Sequence, residues 1–360
     1  RTLERAVRAV VPGTAILLEP GGTFDGGVFE DLHGQADRFI HIQTAPGGDE
    51  PATLSALHLV RAQRLVLKDL RFRGSGTLFH VDEGGSERWD FLHVQDVVFE
   101  ADPSNTDPTI QLRDVASVDL LDLTILDGAT AVDLVHVERV KAARSTIDRA
   151  RGHGVVARAG SGSVFVERNR ITAQWRGVSL GGGASAAEVP EVYDSAVENR
   201  ELHHGVATAN VIRATDGVVF QGCDGCFAVR NTIIEPSRAL VQILDAPEVE
   251  GYVFVPSTTI SMAANLLIWR TTDTSEPVVV GEGFDTAGVS WSHDLLYAAD
   301  SPASSALDLP GTTSELVVGI DPQLRPDGHV AASSPVVGNG GWTPLTGQAD
   351  VDGECLREPQ

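Results

Sequence analysis

Apolar and polar residues alternate in many short segments of the chain, and these segments recur too closely to hold a helix between them. One series joins two short strands across a polar residue, as in "LVLKDLRF", "VDLLDLTI" and "CFAVRNTI". The polar positions lie 27, 26, 22, 25, 41, 21, 34 and 29 residues apart and are Asp69, Asp96, Asp122, Arg144, Asn169, Asn210, Asn231, Asn265 and Asp294. Alternation predicts half-buried strands, and the recurrence predicts a stack of equivalent units.

A second series of strands follows the first, with members such as "TLFHVDEG", "TIQLRDV", "AVDLVHV" and "GVVARAG". Each is reached through a turn that contains Gly, Pro or Asp. Two or three short strands per unit describe one coil of a parallel β-solenoid. A doubly wound sheet fits less well, because it needs about 10–15 helical residues between strands. We therefore predict an all-β solenoid of nine or ten coils.

Asn and Asp suit the fixed polar position for a physical reason. A sharp bend between two strands needs a residue that tolerates left-handed angles and bonds the neighbouring backbone. Stacked Asn amides also hydrogen-bond one another from coil to coil. We interpret the row as structural, with an ion site at its acidic end as the alternative.

The ends of the chain and two long intervals depart from the repeat. Residues 2–10 place Leu3, Ala6, Val7 and Val10 on one helical face, which predicts a helix that caps the first coil. Two stretches, about 182–204 and 245–257, are too long for one coil and predict protruding loops. We assign 1–305 to the capped solenoid and 306–360 to an irregular tail that packs on it or caps it.

These features together resemble a known group of proteins. The stacked Asn turn, the opening "PGTAILLEPGGTF" and the closing "GIDPQL" and "AASSPVVGNGG" segments are similar to right-handed parallel β-helix repeat proteins of the pectin-lyase-like superfamily. The resemblance covers nearly the whole chain and implies a right-handed, single-stranded parallel β-helix. Because this fold carries lyases, hydrolases, epimerases and inert fibres, activity has to be argued from the site.

Charge and composition narrow the range of possible binding partners. The net charge of −23 argues against nucleic acid or an anionic membrane, since both need a basic surface. No apolar stretch approaches the length of a membrane span. Lys68 and Lys141 are the only lysines, which limits mechanisms that need a lysine base. We expect a secreted or extracytoplasmic monomer whose partner is a polysaccharide.

The second series defines two outward rows if its aliphatic residues point inward. The first row is His80, Gln111, Asp133, Val156, Ser179, Val219, Gln242 and Val279. The second row is Asp82, Arg113, Val135, Arg158, Gly181, Gln221, Leu244 and Gly281. Because coils are about 4.8 Å apart, polar residues of neighbouring coils are predicted to line one shallow groove.

This groove suits β-elimination from an acidic sugar, which needs a base for the C5 proton and positive charge on the carboxylate. The predicted catalytic residues are Arg113 and Arg158 for the carboxylate, His136 or His153 as base, and Asp133. The predicted substrate-binding residues are His80, Asp82, Gln111, Arg176, Gln221, Gln242 and Trp175. The resemblance to lyases implies Ca²⁺, with no ligands assigned; neither lysine falls in these rows, so the base must be another residue.

Two other functions stay open at this stage. "RGHGVV" at 151–156 resembles the Gly-His-Gly of polygalacturonases, although only the isolated Asp127 and Asp133 are available for a paired-carboxylate mechanism. A non-catalytic carbohydrate-binding or surface-structural solenoid would show the same polar rows. Cys223 and Cys226 lack the context of a redox or zinc motif and predict a local disulfide or two buried thiols.

Overall fold

The fold is a parallel β-helix built from three long sheets, A, B and C. The structure, a computed structural model, describes residues 2–82, 89–183, 193–194, 197–246, 249–282, 284–335 and 337. Each coil runs through one strand of sheet A, one of sheet B and one of sheet C before the next coil begins. The strands of each sheet pair in parallel with those of the next coil, and such crossovers are right-handed.

Sheet A contains β1 (Ala15–Leu18), β4 (Ile40–Thr44), β7 (Leu65–Lys68), β10 (Trp89–Gln95), β13 (Val115–Leu121), β16 (Glu138–Ala143), β19 (Ser161–Glu167), β23 (Leu202–Thr208), β26 (Cys223–Val229), β30 (Thr258–Ala263), β33 (Val289–Ser292) and β35 (Thr312–Ser314). Sheet B contains β2 (Thr23–Phe24), β5 (Ala52–Leu54), β8 (Leu70–Gly74), β11 (Val98–Ala101), β14 (Thr124–Leu126), β17 (Thr146–Ala150), β20 (Arg170–Ala173), β24 (Val211–Arg213), β27 (Thr232–Ile234), β31 (Leu266–Trp269), β34 (Leu295–Ala298) and β36 (Val317–Val318).

Sheet C contains β3 (Gly27–Glu30), β6 (Leu57–Val60), β9 (Phe79–Asp82), β12 (Pro108–Arg113), β15 (Thr130–Val135), β18 (His153–Arg158), β21 (Arg176–Gly181), β25 (Asp216–Gln221), β28 (Ala239–Leu244) and β32 (Val278–Val280). In the described part of the chain, ten coils therefore cross all three sheets, and two further coils cross sheets A and B. The coil continues to Val318, beyond the boundary at 305 predicted from the sequence.

The core lies inside the coil, where every second residue of each strand points. On sheet C these residues are Ile110, Val132 and Val155 in successive coils, all buried. Phe72 and Phe99 stack in the same way on sheet B, with ring centroids 4.9 Å apart. Each fully buried side chain of this kind stabilises the fold by about 1.5–3 kcal/mol.

The bend between sheets A and B corrects one prediction. Strand pairing makes Leu121, Ala143 and Glu167 equivalent, so the next residue in each coil, from Asp122 to Arg168, is also equivalent. Asp69, Asp96, Asp122 and Arg144 have left-handed φ angles of 51–56° and therefore lie one position before the Asn row. The single row read from the sequence is wrong: it joins two neighbouring rows, because Asn and Asp suit both positions.

The inner row of this bend changes character along the molecule. In the early coils it is Leu70, Val97 and Leu123, and from coil 7 onward it is Asn169, Asn210, Asn231, Asn265 and Asp294, all buried. Each Asn amide bonds the next, for example Asn210 Nδ2 to Asn231 Oδ1 at 2.9 Å and Asn231 Nδ2 to Asn265 Oδ1 at 3.1 Å. The predicted hydrogen bonding of stacked amides is confirmed for this part.

The first coil and two insertions complete the fold. Helix α1 (Leu3–Val7) buries Leu3 and Val7, with Thr2 as its N-cap, and is shorter than the predicted helix. The insertions follow β21 and β28, and a short sheet of β22 (Glu198–Asn199) and β29 (Val253–Phe254) joins them. Short 3₁₀ turns lie at Thr286–Gly288 and Pro302–Ser304.

Cys223 and Cys226 form a disulfide within β26, with their Cα atoms 6.1 Å apart. Both cysteines are buried, so the bond braces the coil and is shielded from solvent. Among the described residues, no helix has the length and apolar character needed to cross a bilayer.

Candidate functional site

The outer face of sheet C carries the predicted polar rows in the predicted register. His80 pairs with Gln111, and Gln111 pairs with Asp133. In the neighbouring row, Asp82 pairs with Arg113. The parallel stack therefore brings residues that are 22 to 31 positions apart in sequence onto adjacent strands.

Gln111, Asp133 and Arg158, here called the Asp133 group, form a closed hydrogen-bonded unit. Arg158 donates from Nε to Asp133 Oδ1 at 2.8 Å and from Nη2 to Oδ2 at 3.0 Å. Gln111 Nε2 adds a bond to Oδ2 at 3.0 Å. Asp133 is only 3% exposed, so this bidentate pair satisfies a carboxylate that is cut off from water.

Arg158 also ties an insertion to the coil. Its Nη1 donates to the carbonyl oxygen of Gly183 at 3.1 Å, at the start of the insertion after β21. Arg158 is therefore already engaged by protein groups, and removing it would leave Asp133 charged and buried. We interpret the Asp133 group as a support of the groove.

His136 and Asp114 form a dyad at the edge of the same groove. Each occupies the left-handed turn that ends its sheet C strand, with φ of 52° and 54°. His136 Nδ1 lies 2.5 Å from Asp114 Oδ1. Asp114 directly follows Arg113, and His136 follows Val135, which pairs with Arg113. The dyad therefore lies one residue beyond the arginine on adjacent strands.

His58, His80 and Asp82, here called the histidine cluster, lie at the N-terminal end of the groove. His58 pairs with His80, and their rings stack with centroids 4.3 Å apart and planes 10° apart. Burial, and then the neighbouring His58, lower the pKa of His80 below its usual value. Two imidazoles and one carboxylate are ligands for a transition metal, and they do not fit Ca²⁺, which takes oxygen ligands.

Arg176, Asp216, Arg238 and Gln242, here called the Asp216 group, lie farther along sheet C. Asp216 is fully buried and accepts bonds from Arg238 Nε at 2.7 Å and Gln242 Nε2 at 3.0 Å. Arg176 Nε is 4.0 Å from Asp216 Oδ2, and burial lowers the pKa of Arg176. The arrangement repeats the Asp133 group: a buried carboxylate with a bidentate arginine and a glutamine.

His153 and Trp175 adjoin the Asp216 group. His153 Nδ1 is hydrogen-bonded to Ser179 Oγ at 3.1 Å, and its ring meets Trp175 edge to face at 4.8 Å. Burial, and then the positive charge of Arg176, lower the pKa of His153 to about 4. His153 is neutral at pH 7 and too weakly basic to match the base that β-elimination needs. Trp175 is 42% exposed, and Arg176 lies over its ring at 4.3 Å.

The structure thus divides the predicted site residues between two neighbourhoods. His80, Asp82, Gln111, Arg113, Asp133, His136 and Arg158 lie on coils 3 to 6 of sheet C. His153, Trp175, Arg176 and Gln242 surround the Asp216 group on coils 6 to 9. Gln221 ends β25, in register with Gly181 and Leu244, and its side chain packs against Gly182.

Four polar residues that complete these neighbourhoods were not predicted from the sequence: His58, Asp114, Asp216 and Arg238. Ser179 was placed in an outward row, but its hydrogen bond to His153 was not foreseen. The signal for His58 is "LHLV", which repeats the histidine of "LFHV" one coil earlier. The signal for Asp114 is its position directly after the strand, which His136 shares one coil later. As expected, both lysines lie away from the groove: on sheet A, Lys68 pairs with Asp96 and Lys141 with Glu167.

Comparison with known proteins supports the architecture. No protein-family profile matches the sequence, and no curated protein matches it. A family 6 polysaccharide lyase from Pseudopedobacter saltans is 12% identical, with 95% of this chain and 97% of that chain covered and a TM-score of 0.51. A GH136 lacto-N-biosidase from Eubacterium ramulus is 13% identical, with 88% and 64% covered and a TM-score of 0.47.

A mannuronan C-5 epimerase module from Azotobacter vinelandii is 12% identical, with 85% and 86% of the two chains covered and a TM-score of 0.40. The likeness to the Pseudopedobacter saltans lyase, at 12% identity and a TM-score of 0.51, shows the fold alone. It confirms the parallel β-helix part of the resemblance read from the sequence.

Proposed function

We propose that the protein is a carbohydrate-active enzyme that cleaves a uronate-containing polysaccharide by β-elimination outside the cytoplasm. The observation that carries this proposal is the Asp114–His136 dyad at 2.5 Å, one residue beyond Arg113 on the face of sheet C. The chemistry needs a base and a positive charge for the substrate carboxylate. The dyad provides the base, and Arg113 provides the positive charge.

The dyad prepares His136 as the base. When the Nδ1–H group donates a hydrogen bond to the Asp114 carboxylate, the lone pair of the ring lies on Nε2, and the carboxylate stabilises the imidazolium that forms. Nε2 then takes the C5 proton of the uronate. The C5 electron pair forms the C4–C5 double bond, the bond from C4 to the glycosidic oxygen breaks, and that oxygen takes a proton from solvent.

Arg113 is suited to the substrate carboxylate. Its guanidinium binds a carboxylate bidentately and stabilises the charge that spreads onto it as the C5 proton leaves. Arg113 lies in a protein of net charge −23, so attraction of an acidic polymer has to come from local positive charge of this kind. This assignment uses arginine where the resemblance implies Ca²⁺.

The disulfide and the insertions support the remaining parts of the proposal. A buried disulfide is typical of oxidising compartments, in accord with an extracytoplasmic location. Tyr193 and Phe254 from the two insertions contact each other, with ring centroids 4.7 Å apart, and cluster with Val135 and Ala159 beside the groove. The described parts of the insertions thus contact each other beside the groove, where they can border an extended polymer.

A paired-carboxylate hydrolase fits the described residues less well. Asp127, one of the two carboxylates considered from the sequence, is bound by Arg149 at 2.9 Å, and this pair lowers the pKa of Asp127. Asp133, the other, is held by Arg158. Neither carboxylate is therefore available as the general acid that hydrolysis requires.

The test is a lyase assay on polymannuronate, polyguluronate, pectate and chondroitin sulfate, followed by the ultraviolet absorbance of the unsaturated product. His136→Ala should lower kcat about 10³-fold and Asp114→Asn about 10²-fold, in the range expected for general base catalysis. Arg113→Ala should raise KM and lower kcat together, because the carboxylate is bound in both ground and transition states.

Two variants serve as matched controls. His293 also occupies a left-handed turn and pairs with a carboxylate, that of Glu315, but on the bend between sheets A and B. Arg149 pairs with Asp127 on the sheet B side. His293→Ala and Arg149→Ala should keep full activity. New reducing ends without ultraviolet absorbance would indicate hydrolysis, and binding without turnover would indicate a carbohydrate-binding protein. Full activity of His136→Ala would exclude the dyad as the catalytic base.

A further inference from the structure

The histidine cluster has a geometry that the lyase mechanism does not use. His58 and His80 occupy the same outward position on adjacent strands, and Asp82 follows two residues later on the same face. One ligand atom from each of the three residues lies within 4.8 Å of the other two. Parallel strands in register therefore gather three potential metal ligands from only two coils.

Both histidines present a nitrogen whose bonding is incomplete. The Nε2 atoms of His58 and His80 are shielded from solvent and have no hydrogen-bond partner among the described residues. Buried polar atoms are nearly always paired, because an unpaired one loses its bonds to water without replacement. Two such atoms on two stacked rings suggest that the pair takes a ligand.

One carboxylate completes the cluster. Asp82 lies on the same strand and the same face as His80, two residues later, so a carboxylate lies close to both imidazoles. Imidazole nitrogens and a carboxylate together are a donor set that binds divalent transition-metal ions.

We propose that His58, His80 and Asp82 bind one divalent transition-metal ion of the zinc type. Two imidazole nitrogens and one carboxylate oxygen provide three protein ligands, which leaves at least one coordination position for water or a substrate oxygen. Imidazole selects Zn²⁺, Co²⁺ or Ni²⁺ over Ca²⁺, which prefers six to eight oxygens. The site is independent of the proposed lyase mechanism.

The test is titration of the metal-stripped full chain with Zn²⁺ by calorimetry, and with Co²⁺ by visible absorption. We expect one Zn²⁺ per chain, and a Co²⁺ spectrum whose band positions and intensity indicate nitrogen and oxygen ligands at low coordination number. His58→Ala and His80→Ala should each weaken Zn²⁺ binding by more than about 100-fold, beyond the roughly 10–100-fold effect of an outer-shell change. Asp82→Asn, which keeps the shape of the side chain, should weaken it about 10-fold.

His41→Ala is the matched control. His41 lies on β4 of the same coil as His58, but on the outer face of sheet A. Its loss should leave the stoichiometry and affinity unchanged. The proposal is overturned if the wild type binds no Zn²⁺, if the cluster variants bind it as the control does, or if equimolar Ca²⁺ displaces it. Should both histidine variants fail to fold, Asp82→Asn alone decides the question.

Discussion

One structural position, the inner side of the bend between sheets A and B, is built in two ways within this molecule. In coils 3 to 5 the position holds Leu70, Val97 and Leu123, and the side chains simply add to the core. From coil 7 onward it holds asparagines whose amides bond the neighbouring coils and the backbone. The backbone bend is the same in both halves, since the preceding residue keeps its left-handed angle throughout.

The comparison shows that the bend does not depend on asparagine. Apolar residues stabilise the first half through burial, which is independent from coil to coil. The amide ladder stabilises the second half through bonds that each residue shares with both neighbours. A change within the ladder should therefore affect three coils at once, whereas a change in the apolar half should remain local.

The largest effect is expected when the ladder is cut in its middle. Asn231→Leu removes the acceptor of two bonds from Asn210 and the donor of bonds to Ala207 and Asn265. Several buried groups lose their partners at once, so the free energy of unfolding should fall by about 5 kcal/mol. Urea denaturation followed by circular dichroism measures it. A decrease in the free energy of unfolding smaller than that caused by an ordinary cavity in the core would show that the bonds of the ladder do not reinforce one another.

The end of the ladder should make stability depend on pH. Asp294 accepts both bonds from Asn265 through Oδ1, its Oδ2 has no described partner, and burial raises its pKa from 3.8 to about 7. Because the folded state holds this proton more tightly, stability is full below pH 4 and falls as the pH rises towards 7, by on the order of 4 kcal/mol.

Asp294→Asn removes this dependence, since an amide does not titrate. Unfolding curves between pH 4 and pH 8 should show a smaller loss of stability for the variant than for the wild type, and higher stability of the variant at pH 8. Equal slopes in the two proteins would mean that Asp294 is charged and satisfied in the fold.

A smaller effect is expected when the ladder is extended into the apolar half. Leu123→Asn places an amide next to Ser145, whose Oγ already accepts a bond from the Leu123 backbone. The substitution removes a buried apolar side chain, but the new amide has Ser145 as a hydrogen-bond partner. The free energy of unfolding should therefore fall by about 2 kcal/mol, less than for Asn231→Leu. Thermal unfolding of the two variants side by side tests this order.

The smallest effect is expected on the outer side of the bend. Asp96 has a left-handed angle and an exposed side chain 3.7 Å from Lys68. Asn tolerates the same angle, and an exposed ion pair contributes little, so Asp96→Asn should change stability by less than about 0.5 kcal/mol. A larger loss would show that the outer carboxylates also stabilise the bend.

The same comparison explains which part of the fold the sequence could reveal. Alternation and recurrence located the strands of all three sheets between coils 3 and 10, and the sheet C rows have the predicted register. The bend was misaligned by one residue, because Asp122 on the outer side and Asn169 on the inner side obey different requirements with similar side chains. Nothing in a single coil distinguishes them; the pairing of Ala143 with Glu167 does.

The candidate site was predictable to a lesser extent. The direction of a side chain follows from the two-residue period of a strand, and its neighbours follow from the register between coils. These two rules are why Asp82, Arg113 and Asp133 were placed together. Hydrogen-bond partners depend on side-chain reach across coils, so the sequence did not show that Arg158 is bound by Asp133 or that Asp114 orients His136. The burial that keeps His153 neutral is likewise a property of the folded coil.

The short sheet of β22 and β29 has a consequence for how such a molecule can diversify. Both insertions leave at the same corner, between sheets C and A, two coils apart, and return without shifting the pairing of the strands they interrupt. The length and composition of the insertions can therefore vary while the strands of the β-helix keep their pairing. A descendant could acquire a different groove border by exchanging these two segments as a matched set, with the strand pairing of the coil unchanged.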